Sequence, residues 1–185
     1  NTADNMIRLG QASKALLIGS ETFSRIVDWE DRSTCVLFGD GAGAVVLGAE
    51  DNNGSNEDRG VLSTHIHSDG DYYKLLWTNG GPSTNGQAGY IEMEGADVFK
   101  HAVLRMAETV QESLTKNDLD ISDVDWLVPH QANIRIMDSV AKKLSIDKSK
   151  VVVTVDQHAN TSAATIPMAL ADAQSRQCFS PGDLI

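Results

Sequence analysis

The chain has 185 residues, 41% of them hydrophobic, and a formal net charge of −11 at pH 7. This length and apolar content exclude a disordered chain, and the acidity argues against a general nucleic-acid binder, since phosphate binding needs clustered Lys and Arg. The chain has no apolar run near the roughly 20 residues that cross a bilayer, and its polar start does not resemble a signal peptide. We therefore expect a cytoplasmic protein without a membrane or nucleic-acid partner.

The first elements are predicted to be one helix and three strands. Residues 1–9 have apolar residues at helical spacing and predict the last turns of a helix. The continuous apolar run 14–21 predicts a strand buried on both faces. Two further strands are predicted at 34–38 and 44–47, joined by a glycine-rich hairpin connection at 39–43.

The middle of the chain begins with a hydrophilic stretch, 51–58, that predicts a surface loop between two halves, 1–54 and 55–185. After it we predict a strand at 60–67, a loop-like stretch at 68–89, a short strand at 90–93 and an amphipathic helix at 97–114.

Two strand-to-helix units follow, each with polar residues at its junction. The run 124–128 leads through His130 into a helix with apolar residues from Ile134 to Leu144, and the run 151–155 leads through Asn160 into a second helix. Parallel strands present side chains from their carboxyl ends at one edge of a sheet, so His130 and Asn160 are predicted to lie together. The last residues, 180–185, predict a turn entering another strand.

Three long motifs carry a family resemblance. They are Phe38-Gly39-Asp40-Gly41-Ala42-Gly43-Ala44, Pro129-His130-Gln131-Ala132-Asn133 and His158-Ala159-Asn160-Thr161-Ser162-Ala163-Ala164. In this order they resemble β-ketoacyl-acyl carrier protein synthase III, a condensing enzyme with a thiolase-like α/β fold in αβαβα layers, and the resemblance extends over essentially the whole chain. It implies that 1–54 ends one half of the fold, and that 55–185 is most of the other half, truncated before its last hairpin. It also implies a homodimer.

The resemblance implies a decarboxylative Claisen condensation of a short acyl-CoA with malonyl-acyl carrier protein, which initiates fatty acid biosynthesis without a cofactor or a metal. His130 and Asn160 match the family's two hydrogen-bond donors to the thioester oxygen, a role that lowers the barrier as charge builds there. Other positions match residues that bind CoA or the carrier protein (Arg32, Arg135, Asn133) and residues of the acyl or pantetheine channel (Phe38, Gly95, Phe99). Ala159 replaces a family glycine, and Ala96 replaces a family asparagine.

Taken without the motifs, these residues have simpler interpretations. His130 could be a polar residue satisfied at a helix start, and Asn160 the N-cap of the following helix. The two arginines could be ordinary exposed residues and the two phenylalanines core residues.

The family's nucleophile is a cysteine at the start of the helix that ends in 1–9, so it would precede residue 1. Neither cysteine in the chain is expected to replace it, because Cys35 is predicted to be core packing within a strand and Cys178 follows the last helix without a neighbouring base. We therefore expect no complete condensation by this chain alone. The alternatives are a non-catalytic module that binds a carrier protein or a partner chain, and a related synthase of secondary metabolism.

Three other patterns are rejected. The glycines at 39, 41 and 43 do not have dinucleotide-loop spacing. His65 and His67 lack an evident third metal ligand, so exposed or core histidines are expected there rather than a zinc site. A Gly-x-Ser-x-Gly nucleophile elbow is absent from the sequence.

Overall fold

The structure, a computed structural model, describes residues 1–51 and 59–185 as a mixed α/β chain. Its helices and strands are α1 (Thr2–Arg8), β1 (Lys14–Thr22), β2 (Asp40–Gly48), β3 (Leu76–Thr78), β4 (Ile91–Met93), α2 (Gly95–Lys116), α3 (Ile134–Leu144), α4 (Val155–His158) and α5 (Thr165–Ser175). Short 3-10 helices lie at Phe23–Arg25, Gly70–Leu75, Ile121–Asp123, Lys148–Lys150 and Ser162–Ala164. The predicted boundary between the halves, at 54 and 55, lies outside the described residues.

The β1–β2 hairpin packs on the start of α5. The two strands are antiparallel, with Leu16 opposite Val46. β1 is confirmed as a strand, but the glycine-rich segment lies inside β2 and is not a hairpin connection, so that prediction is wrong. A Cβ on Gly19 would overlap the backbone of Ala163, and one on Gly43 would lie 2.9 Å from the Cβ of Pro167. The glycines are therefore required by the close approach of this face to the segment around α5.

Residues 34–38 were predicted as a strand, but 34–37 form a turn and Phe38 makes only an isolated bridge. Asp31 accepts hydrogen bonds from the Ser33 hydroxyl at 2.6 Å, the Thr34 hydroxyl at 2.6 Å and the Ser33 amide at 2.9 Å. These bonds hold the pKa of Asp31 below its ordinary value, and the bond from the Ser33 hydroxyl has the largest effect. Side chains that bond the local backbone in this way compete with a strand ladder, which is why the strand prediction is wrong.

α2 and α3 enclose the larger buried cluster. Both predicted helices are confirmed, and the apolar stripe of each faces the other. The buried members are Ala107, Ile136, Val140, Leu144 and Ile146, with Phe99, Val103, Met106 and Val110 packed against them. None of the helices in the described part of the chain combines the length and apolar character needed to cross a bilayer.

The segment between β2 and α2 has extra secondary structure within 68–89 but lacks the strand predicted at 60–67. The stretch 68–89 holds a 3-10 helix and β3, which pairs antiparallel with the expected strand β4. Residues 60–67, predicted as a strand, have no ladder partner among the described residues. Side chains of the flanking helices bond this segment instead, including Arg8, whose Nη2 donates to the carbonyl of Val61 at 2.7 Å.

Candidate functional site

The two predicted strand-to-helix units meet side by side. Leu127 and Val151 form a parallel bridge, with the amide of Leu127 2.8 Å from the carbonyl of Lys150 and the amide of Val152 2.9 Å from the carbonyl of Leu127. The strands at 124–128 and 151–155 are thus much shorter than predicted, although their parallel alignment is as expected. The segment 180–185 returns beside Asp125 without forming a strand, since Leu184 exchanges hydrogen bonds with Asp125.

A buried glutamine replaces the missing part of the ladder. Gln131 is 1% exposed, and its Nε2 donates to the carbonyls of Pro129 at 2.9 Å and Val152 at 3.1 Å. Its Oε1 accepts from the amide of Thr154 at 2.8 Å. The side chain therefore satisfies buried backbone groups that a longer strand pair would have satisfied. No spacing pattern in the sequence marks this role of Gln131, so it was not predicted.

Hydrogen bonds on both sides of the Ser162 backbone connect His130 to Asn160. The Nδ1 of His130 lies 2.7 Å from the hydroxyl of Thr165, and that hydroxyl donates to the carbonyl of Ser162 at 2.8 Å. The amide of Ser162 in turn donates to Oδ1 of Asn160 at 2.9 Å. Thr165 and Ser162 therefore couple the two predicted site residues, and neither was singled out from the sequence.

The same bonds fix the orientation of the Asn160 carboxamide. Because the Ser162 amide is a donor, the atom facing it must be Oδ1, which leaves Nδ2 and its two hydrogens directed away. The backbone of Asn160 is held by the Leu37 carbonyl at 2.9 Å and the Gly39 amide at 3.0 Å. The N-cap of α5 is Ala164, so the interpretation of Asn160 as that cap is wrong.

His130 is largely buried at the junction between the bridge and α3. Burial lowers the pKa of its imidazole below the ordinary value, because desolvation disfavours the charged ring. Its Nε2 has no hydrogen-bond partner in the described part of the chain. One ring nitrogen of His130 therefore contacts Thr165, and the described residues leave the other without a hydrogen-bond partner.

A groove of about 320 Å³ is lined by residues that are close in sequence to His130 and Asn160. Its lining is mostly apolar: Val36, Leu37, Ala132, Asn133, Ile134, Val153, Val155, Asp156 and Ala159. His130 and Asn160 do not line it themselves, but Ala132 follows the first by two residues and Ala159 precedes the second. An apolar groove with a few polar groups suits a slender ligand.

The other predicted site residues fall into two groups. The guanidinium of Arg135, at the exposed start of α3, lies 5.9 Å from the ring centroid of Phe99 on α2, and Gly95 begins α2 one turn before Phe99. Phe38 forms a parallel bridge with Asn160, and its ring stacks on Phe23 with centroids 5.0 Å apart.

Two predicted site residues have more ordinary surroundings. Asn133 is the N-cap of α3, since its Oδ1 accepts from the amide of Ile136 at 3.0 Å. Arg32 lies on the exposed turn that precedes Phe38. Within residues 1–51 and 59–185 it makes no hydrogen bond or ion pair with the other predicted site residues.

Cys178 follows the last helix, as predicted, whereas Cys35 does not lie in a strand. Cys35 belongs to the turn that begins at Asp31, with its amide 3.0 Å from the carbonyl of Asp31, so its placement within a strand is wrong. Cys178 packs against the smaller core cluster of Val152, Ala169 and Ala173. Both thiols are free and partly buried.

Comparisons with known proteins show which family the chain resembles over its length. Residues 1–70 match the family model described as 3-oxoacyl-[acyl-carrier-protein] synthase III, and residues 114–185 match the model of its C-terminal part. The β-ketoacyl-[acyl-carrier-protein] synthase III of Paramagnetospirillum magneticum is 57% identical over all 185 residues, which correspond to 57% of that protein. The chain thus spans a little over half the length of the curated relatives it matches.

Solved structures confirm the α/β, thiolase-like fold. The crystal structure of 3-oxoacyl-[acyl-carrier-protein] synthase III from Aquifex aeolicus VF5 superposes with a TM-score of 0.89 at 43% identity, covering 100% of this chain and 56% of that one. The priming β-ketosynthase of the R1128 polyketide pathway superposes with a TM-score of 0.77 at 29% identity, covering 98% of this chain and 53% of that one. The chain therefore belongs to the β-ketoacyl-[acyl-carrier-protein] synthase III family.

Proposed function

We propose that the protein carrying this chain condenses a short acyl-CoA with malonyl-acyl carrier protein, with loss of carbon dioxide, in the first step of fatty acid biosynthesis. The observation that carries this proposal is the set of hydrogen bonds that connects His130 to Asn160. It holds an imidazole and a carboxamide in fixed orientations next to an apolar groove.

The chemistry requires a group that stabilises negative charge on a thioester oxygen. When carbon dioxide leaves the malonyl group, the electron pair of the broken bond passes to the α-carbon and is shared with that oxygen as an enolate, which then attacks the acyl thioester. Asn160 donates to the oxygen through Nδ2, and His130 donates to it through Nε2–H. Preorganised groups are effective in this role because they need no reorientation as the charge develops, and burial strengthens their interaction with it.

The remaining predicted site residues have proposed roles in binding the substrate. The groove that Asn133 lines receives the slender arm of the substrate. Phe38, Gly95 and Phe99 are assigned to the channel around this arm because they match the family's channel residues. Arg135 and Arg32 bind the phosphates of CoA or of the carrier protein, since a guanidinium pairs with phosphate through two hydrogen bonds. Resident cofactors and metals have no part in this proposal.

The test separates the two half-reactions in the gene product that contains these residues. His130→Ala and Asn160→Ala should each lower the release of carbon dioxide from malonyl-acyl carrier protein by roughly 10²- to 10³-fold, the usual cost of removing one such group. Acyl transfer from acetyl-CoA should change much less. His158→Ala removes an exposed imidazole two residues from Asn160 and serves as the matched control. Equal losses in both half-reactions would show that the pair has a structural role only.

Other features of the proposal stay predictions. They are the cytoplasmic location, the homodimer and the inability of residues 1–185 alone to complete the condensation. A related synthase of secondary metabolism would use the same pair with a different starter group. Measured transfer rates from a series of acyl-CoA thioesters would separate these two functions.

A further inference from the structure

The parallel ladder of the candidate site stops after a single bridge, because the next rung would begin at Pro129 and proline has no amide hydrogen. In a regular parallel ladder, the amide of residue 129 would donate to the carbonyl of Val152, and its carbonyl would accept from the amide of Thr154. Both of these groups on the second strand bond the side chain of Gln131 instead.

The carboxamide of Gln131 takes the place of the missing rung. Its Nε2 donates to the carbonyls of both strands, at 2.9 Å to Pro129 and 3.1 Å to Val152. Its Oε1 accepts from the amide of Thr154 at 2.8 Å. The strands are thus bonded through an inserted side-chain group, so the gap between them is wider here than at a direct rung.

The inserted group lies where the two candidate site residues diverge. On the first strand, His130 directly follows Pro129. On the second, Thr154 is the N-cap of α4, and its carbonyl accepts from the amides of the last two α4 residues at 3.0 Å each. Asn160 follows α4 by two residues. The Gln131 carboxamide therefore sets the spacing at the point from which both side chains are carried into the site.

We propose that Gln131 is a positioning residue for decarboxylation, which fixes the separation of His130 and Asn160 by holding its carboxamide between their strands. This inference rests on the proposed function, because it requires both side chains to contact the same thioester oxygen. A displacement of about 1 Å caused by a residue outside the chemistry can lower a rate roughly 100-fold. Acyl transfer does not use the two donors together, so it depends much less on their separation.

Gln131→Ala tests this role in the gene product that contains these residues. We expect release of carbon dioxide from malonyl-acyl carrier protein to fall roughly 100-fold, and acyl transfer from acetyl-CoA to fall much less. Leu144→Ala removes a buried side chain at the far end of α3 and controls for lost stability. It should leave the ratio of the two rates unchanged. The same ratio in Gln131→Ala and Leu144→Ala would overturn the proposal.

A second comparison separates spacing from the satisfaction of buried hydrogen-bonding groups. Pro129→Ala supplies the missing amide hydrogen, so Pro129→Ala combined with Gln131→Ala can form a direct rung to Val152. This double variant should regain much of the denaturant midpoint lost in Gln131→Ala but keep the slow decarboxylation, because its strands lie closer together. Pro129→Ala alone should keep the unmodified rate, since the carboxamide still fills the gap. Recovery of decarboxylation in the double variant would show that Gln131 only satisfies backbone groups, and would overturn the proposal.

Gln131→Asn is the milder variant, used if Gln131→Ala does not fold. It keeps the carboxamide on a side chain shorter by one methylene group, so it should also lower decarboxylation relative to acyl transfer, and an unchanged ratio would overturn the proposal. The variants His130→Ala and Asn160→Ala distinguish the two possible failures. If they slow decarboxylation selectively and the Gln131 variants do not, only this inference fails. If they do not, the proposed function itself fails.

Discussion

Two residues next to Asn160 have backbone conformations that L-amino acids avoid. Ala159 has φ 58° and ψ −165°, and Ser162 has φ 48°. Conformations of this kind cost roughly 1–3 kcal/mol each and persist where the surrounding structure enforces them. At Ser162 the unusual turn directs the amide to Asn160 and the carbonyl to Thr165, so the strain orients the site. At Ala159, where the family resemblance implies glycine, the methyl group is the source of the strain.

Ala159→Gly should therefore stabilise the chain. Removing the methyl group relieves roughly 1–3 kcal/mol of strain, and the greater freedom of glycine in the unfolded chain takes back roughly 0.5–1 kcal/mol. We expect a net gain of about 1 kcal/mol, measured as a higher denaturant midpoint with an unchanged slope.

The matched control is Ala171→Gly, an exposed position inside α5. There the same change should cost about 1 kcal/mol, because glycine is a poor helix former. A loss of stability in both variants would show that Ala159 is not strained.

At the scale of elements, the extended segment 61–67 is held between two helices by side chains. From α1, Arg8 bonds the carbonyl of Val61 at 2.7 Å. From α2, Glu112 contacts the imidazole of His67 at 2.6 Å and that of His65 at 3.4 Å. The two histidines, for which a zinc site was rejected, thus contact the same carboxylate. The segment depends on polar contacts rather than on a ladder, which makes its attachment sensitive to charge.

Glu112→Gln should weaken this attachment in a pH-dependent way. The hydrogen bond from His67, and then the positive charge of the two imidazoles, lower the pKa of Glu112 below its ordinary value of 4.5. A carboxylate with a lowered pKa contributes stability that is fully present above the ordinary value and is lost as the pH falls through the value in the folded chain. The variant should therefore have a lower denaturant midpoint than the unmodified chain at pH 6, and the two should converge as the pH falls well below 4.5.

Glu108→Gln is the control on the same helix. Glu108 pairs with Arg105 at 3.0 Å on the exposed side of α2 and has no recorded contact with 61–67. Its removal should leave amide exchange at 63–67 unchanged, whereas Glu112→Gln should speed that exchange. A deficit in Glu112→Gln that is the same at all pH values would contradict the electrostatic account.

At the scale of the whole chain, the sequence predicted the elements with a long apolar periodicity. It did not predict where polar side chains bond a segment in place of a strand partner. α2 and α3 follow from their stripes, because a helix that buries one face needs little else. The strand predictions at 34–38 and 60–67 are wrong because side chains such as Thr34 and Glu112 make contacts that hydrophobic periodicity does not reveal. In the candidate site, the motifs predicted His130 and Asn160, whose catalytic roles stay predictions. The link through Thr165, 35 residues from His130, depends on the packing of the hairpin, α5 and the Leu127–Val151 bridge together.

The outer face of the β1–β2 hairpin is the largest departure from expectation. β1 was predicted to be buried on both faces, but only the face with Gly19 is covered within the described residues. On the other face Leu16 is 61% exposed, Ile18 67% and Val46 67%. Adjacent exposed apolar side chains on a two-stranded sheet favour association with another apolar surface.

We expect residues 1–185 to self-associate through this face and to bind the dye ANS. Leu16 and Val46 are directly opposed, so Leu16→Glu with Val46→Lys places opposite charges on one cross-strand pair and preserves the strand pairing. This double variant should lower both ANS fluorescence and the apparent mass measured by light scattering after gel filtration. Gln111→Glu with Thr115→Lys adds the same two charges to an exposed part of α2 and should change neither quantity. Equal effects of the two double variants would show that added charge alone suppresses association, and an unmodified chain that stays monomeric and binds no dye would show that the exposed face does not drive association.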